Sequence, residues 1–366
     1  MRRSNQDHRD YDRDRDRRRD GRDDRDGRYG RDGDRRRDDD RYWDGDRWRD
    51  NDRYWDGDRW RYRGRDDDSG LSDLQKFGLV ALGAVAVGAI IYGSQTVVSN
   101  SGDRVVTRDA SGRYDVYRDD NALIRRPGST VYTDPYDDGS VESRVVRQDG
   151  TVIITVLDAD GRVLRRSVQR PDAQQVVLYD DTQPVREVMP AALPPRSPVA
   201  ISYDDQTSAD LLYATFETEP EEAARQRFNL SQVRDIAGVR YLAPEVALAS
   251  LVFASGSDAV SLDAAARLAT LGDVMADMIA RDPYEVFLIE GHTDATGGEA
   301  ANLLLSDQRA ESVALALTEN FGVPPENMVI QGYGEYDLKE QTRGASEVNR
   351  QVIIRRVTPL LAPPTE

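Results

Sequence analysis

The chain has 366 residues and a formal net charge of −17, which is enough length for two or three domains. It contains no cysteine, which excludes disulfides, thiolate metal sites, cysteine nucleophiles and a lipidated cysteine. Histidine occurs only at His8 and His292, so most zinc-enzyme and hydrolase sites lack their usual residues. Residues 1–68 hold 23 Arg and 23 Asp, and only 27 basic residues follow them. We therefore expect no metal, no cofactor and no nucleic-acid partner.

Residues 1–70 form an Arg/Asp-rich, low-complexity tail that we expect to be disordered, since it cannot bury enough apolar surface to offset the entropy of ordering. The tail contains a repeat: DRYWDGDRWR at 40–49 recurs at 52–61 and holds all four tryptophans. Arginine and aromatic side chains allow cation–π contacts, so RNA or an anionic surface is an alternative partner. The interleaved aspartates oppose that alternative and favour a solvated tail without a fixed partner.

An uncharged stretch of 26 residues runs from Phe77 to Gly102. A helix over 77–98, rising about 1.5 Å per residue, would cross a hydrocarbon core of roughly 30 Å. A secretory signal would begin nearer the N-terminus, and a buried helix of a soluble domain would need a polar face. The sequence therefore predicts a transmembrane helix at 77–98, with membrane lipid as a partner.

The flanks of this predicted span suggest its orientation. Five basic residues lie between positions 59 and 76, and three lie between 104 and 113. This asymmetry favours a cytoplasmic tail, with the residues after 100 on the other side of the membrane. The pairs Ala84/Gly88 and Ala89/Gly93 have the small-xxx-small spacing that allows a homo-oligomer.

The middle of the chain has two parts. Residues 103–181 alternate short Val/Tyr/Ile/Thr-rich runs with turns such as DDGS and QDGT, which predicts an antiparallel β-rich hairpin region. Residues 182–246 begin with a proline-rich stretch and continue with short helical patterns. We interpret this second part as a linker and a helical lead-in to the last domain.

Residues 247–357 have the most regular pattern, and 358–366 are expected to be a flexible C-terminal tail. Ser261 is expected to cap a helix whose apolar residues recur at helical spacing, and a second long helix is expected over about 298–320. The order of elements is β-α-β-α-β-β, which indicates an α+β sandwich with helices on one face of the sheet. The strand candidates are 247–253, 284–290, 328–331 and 351–357.

The segment GHTDATGGEAANLLLSDQRAESV, residues 291–313, resembles the signature of the OmpA-like (OmpA/MotB/Pal-type) peptidoglycan-binding domain. The family pattern is approximately G-H/Y-T-D-x-x-G-x-x-x-Y-N-x-x-L-S-x-x-R-A-x-x-V. The spacing agrees over the whole segment, and similar flanking elements extend the resemblance to 247–357. The matching positions are Gly291, Thr293, Asp294, Gly297, Asn302, Leu305, Ser306, Arg309, Ala310 and Val313.

These positions also suggest a binding site from their chemistry. Asn302 and Arg309 are about two helical turns apart and so project from one face, and Asp294 lies just before the helix. Such a site suits a zwitterion, with arginine holding a carboxylate and aspartate an ammonium. The resemblance implies that the ligand is the diaminopimelate of the peptidoglycan stem peptide, bound by Asp294 and Arg309. Thr293, Asn302 and Arg350 are secondary candidates.

The sequence departs from the family pattern at two positions. The family has an aromatic residue before the asparagine, where this chain has Ala301, so one wall of the pocket is thinner. The second arginine of the family's NRRV is Gln351 here, which removes a charge next to Arg350. Neither departure touches the principal pair.

The sequence favours a non-catalytic protein that tethers a membrane to peptidoglycan in the envelope of a Gram-negative bacterium, with its C-terminal domain in the periplasm. The resemblance suggests the outer membrane, whereas a helical span suggests the inner one. One alternative is a hydrolase using Ser306, His292 and Asp294, although His292 and Asp294 share a short turn that is poor for a relay. Another is a flagellar-stator-like protein, which would need an acidic group in the span.

Overall fold

The computed structural model describes short strands before residue 95, as backbone only, and most of residues 95–363. It leaves out residues 160, 172, 184–186, 190–192, 194–196, 198, 221–225, 249–250, 252 and 254–255 within that range. The chain divides into two compact units, Met1–Asp67 and Asp68–Glu366.

In the first unit, each copy of the tryptophan repeat forms one antiparallel strand pair. Strands β1 (Tyr42–Trp43) and β2 (Trp48–Arg49) pair, as do β3 (Arg53–Trp55) and β4 (Trp60–Tyr62). The aromatic residues of the repeat favour such paired strands, and the disorder expected for the tail as a whole stays a prediction. The rest of the tail lies outside the described residues.

The second unit begins with a four-stranded antiparallel sheet whose strands follow chain order. Its first two strands, β5 (Ile90–Ile91) and β6 (Gln95–Asn100), lie where the predicted transmembrane helix was expected to end. The prediction of a helix as far as residue 98 is therefore wrong, because the β-branched residues of QTVVSN favour a strand. Residues 77–89 lie outside the described part of the chain. Within the described part, no helix is long and apolar enough to cross a membrane. The strands are β5 (Ile90–Ile91), β6 (Gln95–Asn100), β7 (Arg104–Arg108) and β8 (Tyr114–Arg118).

A five-stranded antiparallel meander follows, as the alternating hydrophobic pattern predicted. Glycines with positive φ form its tight turns, for example Gly139 at +86° and Gly150 at +81°. The sequence did not predict the first strand, whose side chains are mostly exposed at the edge of the sheet. The strands are β9 (Thr130–Pro135), β10 (Val141–Val146), β11 (Val152–Leu157), β12 (Val163–Gln169) and β13 (Val176–Asp180).

The third sheet is mixed and has the order β14-β15-β18-β16-β17. Its outer pairs are parallel and its inner pairs antiparallel. Strand β14 lies in 182–246, the predicted linker and helical lead-in, where no strand was expected. The strand expected at 247–253 is described as β15, ending at Ala247. The strands are β14 (Ala200–Ser202), β15 (Glu245–Ala247), β16 (Phe287–Gly291), β17 (Met328–Gly332) and β18 (Val352–Arg356).

Six α-helices complete the described residues of the second unit. Ser261 caps its helix as predicted, its hydroxyl accepting a hydrogen bond from Ala264 N, but the helix breaks before Ala269. The expected flexible tail is wrong at Thr358–Leu360, which form a 3₁₀ turn with Leu360 buried. The helices are α1 (Ala209–Phe216), α2 (Leu230–Asp235), α3 (Ala237–Arg240), α4 (Leu262–Ala266), α5 (Ala269–Arg281) and α6 (Glu299–Phe321).

Both faces of the third sheet are covered. One face packs against α1, α5 and α6, with Phe287 and Ile289 pointing into that core. The opposite face carries Val286 and Leu288 into a second core shared with the meander, α2 and α3. The α+β class is confirmed, but helices lie on both faces of the sheet, not on one. The β-rich region packs against residues 247–357, the part that resembles the OmpA-like domain, and both belong to the second unit.

Candidate functional site

The loop that follows β16 leads directly into α6, and two glycines let the helix approach the sheet. A Cβ atom on Gly291 would lie 1.9 Å from the carbonyl oxygen of Ser306. On the neighbouring strand, a Cβ on Gly332 would lie 2.6 Å from the backbone nitrogen of Asp307. Only glycine fits where the helix backbone lies this close, so these residues fix the position of α6 against β16 and β17.

Asp294 lies in this loop and is buried, with its carboxylate held by three residues. Thr296 donates to Oδ1 from its backbone nitrogen at 3.1 Å and from its hydroxyl. Ser346 N donates to Oδ2 at 3.3 Å, and the Arg350 guanidinium forms an ion pair with Oδ2 at 2.6 Å. Burial alone would raise the pKa of Asp294, but the hydrogen bonds from Thr296 and Arg350 hold it below its usual value.

Arg309 projects from α6 and is also buried. Its Nε donates to the carbonyl oxygen of Ser257 at 3.0 Å, and its Cζ lies 4.9 Å from the centre of the Phe253 ring. Burial lowers the pKa of Arg309, and the positive charge of Arg350 lowers it further, while Asp294 opposes that effect. Arg309, Asp294 and Arg350 therefore lie within electrostatic reach of one another.

The structure brings the two principal residues of the sequence prediction together without pairing them. The ion-pair partner of Asp294 is Arg350, on the segment before β18, and not Arg309. Arg350 is 38% exposed, whereas the side chain of Asp294 is 5% exposed. The site thus contains the Asp294 carboxylate and two guanidinium groups, of which Arg350 is also 3.8 Å from Glu347 Oε1.

The remaining predicted residues line the same loop. Asn302 donates from its side-chain nitrogen to the backbone oxygen of Asp294 at 3.3 Å and to Glu335 Oε2 at 2.5 Å. The Thr293 side chain is buried, and its hydroxyl has no hydrogen-bond partner, although its backbone nitrogen donates to Gly334 O at 2.9 Å. Asn302 therefore supports the Asp294 loop, and Thr293 offers a free hydroxyl beside it.

Sequence reasoning missed several residues of the site. Thr296 follows Asp294 by two positions, and an aspartate bonding to the backbone two residues on is a recognised turn pattern that could have indicated it. Ser346, Glu335 and Phe253 come from distant parts of the chain, and nothing in the local sequence connects them with Asp294 or Arg309.

A buried charged cluster lies behind the site, on the meander side of the sheet. Arg355 Nε binds Glu290 Oε1 at 2.7 Å and Arg355 Nη2 binds Glu245 at 2.9 Å, while Arg240 Nε lies 3.5 Å from Glu290 Oε2. Burial would raise the pKa of Glu290, but Arg355 and Arg240 lower it to about 2. His292 Nε2 lies 3.2 Å from Glu290 Oε2, and burial lowers the pKa of this histidine.

The residues of the hydrolase alternative do not form a relay. His292 contacts Glu290 and stacks on Tyr333, with ring centres 5.4 Å apart. Ser306 is fully buried, and its hydroxyl donates to Leu303 O at 2.8 Å and accepts from Gly334 N at 2.9 Å. The Ser306 hydroxyl thus joins α6 to the turn after β17 instead of facing His292.

The two departures from the family pattern have different surroundings. Ala301 is exposed on α6, where an aromatic side chain would add a wall to the site. Gln351 is buried, and its side-chain oxygen accepts a hydrogen bond from Lys339 Nζ at 3.2 Å. Lys339 also pairs with Glu245, so a second cation at position 351 would lie next to an existing one.

A buried ion-pair cluster joins α6 to the four-stranded sheet β5–β8. Asp307 accepts hydrogen bonds from Arg104 Nε at 2.9 Å, Arg118 Nη1 at 3.3 Å and Gly332 N at 3.1 Å. Arg104 also pairs with Glu311. Helix α6 therefore carries Arg309 towards the candidate site and Asp307 towards the β-rich region.

Comparison with known proteins supports the resemblance of the C-terminal region. Residues 252–351 match the model of the OmpA family. The outer-membrane lipoprotein YfiB of Pseudomonas aeruginosa is 39% identical over 87 residues, which cover 23% of this chain and 51% of that protein. Outer membrane porin F of Pseudomonas fluorescens is 38% identical over 85 residues, covering 22% of this chain and 26% of that protein.

The matches span about half or less of these curated relatives. Among solved structures, the peptidoglycan-associated lipoprotein of Burkholderia pseudomallei aligns with a TM-score of 0.25 and 24% identity, over 29% of this chain and 86% of that one. The C-terminal region of the chain is OmpA-like, and the sequence prediction of this family resemblance is confirmed.

Proposed function

We propose that the OmpA-like region, residues 252–351, binds peptidoglycan without cleaving it, through the diaminopimelate of the stem peptide. In this proposal Asp294 binds the ligand's ammonium and Arg309 its carboxylate. The observation that carries it is the position of Asp294 and Arg309: Asp294 lies in the loop before α6 and Arg309 on that helix, within electrostatic reach but not paired with each other. A zwitterion with both charges on one carbon skeleton can engage two such groups together.

The surrounding groups fit this role. Arginine presents two parallel N–H donors to a carboxylate, and the Arg309 guanidinium is already oriented by Ser257 and the Phe253 ring. The Thr293 hydroxyl is buried and unpartnered, so it would contribute a further donor or acceptor only where ligand binding opens the loop that covers it. Asn302 acts through the Asp294 loop, since it bonds to the backbone of that residue.

We propose further that the chain is a tether in the bacterial cell envelope, with peptidoglycan at the OmpA-like region and a membrane at the apolar run that begins at Phe77. The run FGLVALGAVAVGA over 77–89 carries no charge. Deleting 77–89 from the full chain is expected to move the protein from the membrane pellet to the supernatant after a carbonate wash. A protein that stays in the pellet after this deletion would exclude the run as the membrane end.

A pull-down with isolated peptidoglycan sacculi tests the binding site. Asp294→Ala and Arg309→Met in the full chain are each expected to weaken binding about tenfold or more, because each removes one charge-assisted contact. Glu319→Gln, on the exposed face of the same helix, is the matched control and should bind as the unaltered chain does. Urea unfolding of each variant separates lost contacts from lost folding. Undiminished binding by both folded variants would remove the proposed site.

The absence of cleavage is tested on the same sacculi. We expect that prolonged incubation with the full chain releases no soluble muropeptides, because the Ser306 hydroxyl is bonded to Leu303 and Gly334. Release of fragments that disappears in His292→Ala would support the hydrolase alternative instead.

A further inference from the structure

The Asp294 carboxylate has no vacant acceptor position for a ligand. A carboxylate accepts about four hydrogen bonds, two at each oxygen. Oδ1 accepts both from Thr296, and Oδ2 accepts one from Ser346 N and one from Arg350. An incoming ammonium can therefore bind Asp294 only when one of these donors leaves.

The donors differ in how readily they can leave. Thr296 N and Ser346 N are backbone donors, so their departure would require the loop backbone to move, and the Thr296 hydroxyl is a neutral side-chain donor to Oδ1. Arg350 donates through a long, partly exposed side chain. Its guanidinium is the one cation among these four donors, and its departure requires only side-chain rotation.

A second acceptor for Arg350 is already in place. Glu347 lies three residues before Arg350 in the sequence, and its side chain is 94% exposed. Its Oε1 is 3.8 Å from Arg350 Nη2. A guanidinium that leaves Asp294 can move onto Glu347 without becoming unpaired. That movement would keep Arg350 charged beside the site.

The position of Arg309 adds to this arrangement. Arg350 and Arg309 are like charges close enough that Arg350 lowers the pKa of Arg309. Without Arg350, the Asp294 carboxylate would face Arg309 across the site with no closer cation. Arg350 therefore occupies the acceptor position on Asp294 Oδ2 that a ligand's ammonium would take.

We infer that Arg350 is an internal competitor for the ligand's ammonium, and that binding exchanges the Arg350–Asp294 ion pair for an ammonium–Asp294 pair, with Glu347 receiving the released guanidinium. This inference rests on the proposed zwitterion site. It also differs from what the family resemblance implies for Arg350, since a direct ligand contact would gain affinity from this residue and a competitor loses it.

The test is calorimetric titration of the full chain with a soluble diaminopimelate-containing stem peptide. Arg350→Met removes the competitor and is expected to tighten binding about two- to fivefold, the range of a partly exposed ion pair. Arg350→Lys keeps the charge and should stay near the unaltered affinity. Glu347→Gln removes the second acceptor and should weaken binding by about twofold or less.

Arg343→Met is the matched control, because Arg343 is another exposed arginine of the same loop and the structure gives it no contact with Asp294. Equal tightening in Arg343→Met and Arg350→Met would reduce the effect to a general loss of positive charge and overturn the inference. Weaker binding in Arg350→Met, together with lost binding in Asp294→Ala, would overturn the competitor and leave the binding site standing. Unchanged binding in Asp294→Ala would remove the site itself.

A second measurement follows Arg350 directly. The ¹⁵Nη1–H signals of Arg350, assigned by their loss in Arg350→Lys, are expected to exchange faster with water at saturating stem peptide, because the Nη1 bond to buried Asp294 is replaced by a bond to exposed Glu347. A signal that keeps its protection in the complex would show that the Asp294–Arg350 pair persists, which contradicts the exchange.

Discussion

Two carboxylates near α6, Asp294 and Asp307, are each bound by arginine, and they differ in the exposure of that arginine. Asp307 and its partners Arg104 and Arg118 are all buried, with the two arginines 3% and 9% exposed. Asp294 is equally buried, but Arg350 is 38% exposed. A buried pair cannot exchange its partner for water or a ligand without leaving a charge uncompensated, whereas a half-exposed partner can leave. Ion pairs of the same chemistry thus have two roles: the buried pairs of Asp307 stabilise the fold, and the partly exposed pair of Asp294 is available for exchange with a ligand.

The largest expected effect is at the buried cluster. Asp307→Ala should lower the free energy of unfolding by about 3–5 kcal/mol, because it leaves Arg104 and Arg118 without their shared carboxylate. Urea denaturation followed by circular dichroism measures it. Glu319→Gln on the same helix is the control and should change the midpoint little. A loss below about 1 kcal/mol for Asp307→Ala would mean that the two arginines are compensated by their other partners alone, Glu311 for Arg104 and Asp120, 2.7 Å from Nε, for Arg118.

The second effect is a pH dependence from the buried cluster around Glu290. Its folded-state pKa of about 2 lies below the ordinary value of 4.5, so the unfolded state takes up a proton first as the pH falls. The stabilisation is fully present above about pH 5, is lost as the pH falls towards 2, and amounts to roughly 3 kcal/mol. Urea midpoints measured between pH 6 and pH 2 should fall accordingly, and Glu290→Gln should flatten this part of the curve. The same slope in the variant would assign the dependence to other carboxylates.

A smaller effect is expected at the pair that joins the meander to the turn before β17. Arg147 binds Glu326 with two hydrogen bonds, of 3.0 and 2.7 Å, and both side chains are nearly buried. Glu326→Gln keeps the shape and removes the charge, which should cost about 1–3 kcal/mol of unfolding free energy. The double variant with Arg147→Met should recover part of that loss, since the uncompensated cation is removed too. Additive losses in this double-variant cycle would argue against a direct coupling.

The smallest effect on stability is expected at the exchangeable pair. Arg350→Met should change the free energy of unfolding by less than about 1 kcal/mol, because Asp294 keeps its bonds from Thr296 and Ser346. Thermal unfolding at low and high salt measures it, and the salt dependence of the unaltered chain should shrink in the variant. A loss comparable to that of Asp307→Ala would place both pairs in the same structural class and remove the contrast between them.

The sequence predicted the local patterns of this molecule better than its long-range contacts. The spacing in 291–313 indicated Asp294, Asn302 and Arg309, and the structure has all three beside the loop that leads into α6. The alternating runs of the meander also indicated its strands, because a two-residue period leaves a local signal. The partner of Asp294 could not be read in the same way, since Arg350 lies far along the chain and reaches the site only through the pairing of β18 with β16.

In the N-terminal half of the chain, by contrast, a local sequence pattern led to a wrong prediction. The uncharged run predicted a helix as far as residue 98, but the β-branched residues of QTVVSN near its end favour pairing with β7. The attachment of the β-rich region to α6 also had no local signal. Arg104 and Arg118 face each other across β7 and β8, and only the folded chain brings this cross-strand pair to Asp307.

The position of Asp294 directly after β16 has a mechanical consequence. Strand β16 is hydrogen-bonded along its length to β18 on one side and to β17 on the other. A ligand under tension that pulls on the Asp294 loop would load this interior strand in shear, so that many backbone hydrogen bonds share the force at once. The close approach of α6 at Gly291 and Gly332 opposes sliding of the strand. Under a steady pull, the ligand is therefore expected to detach before the domain yields.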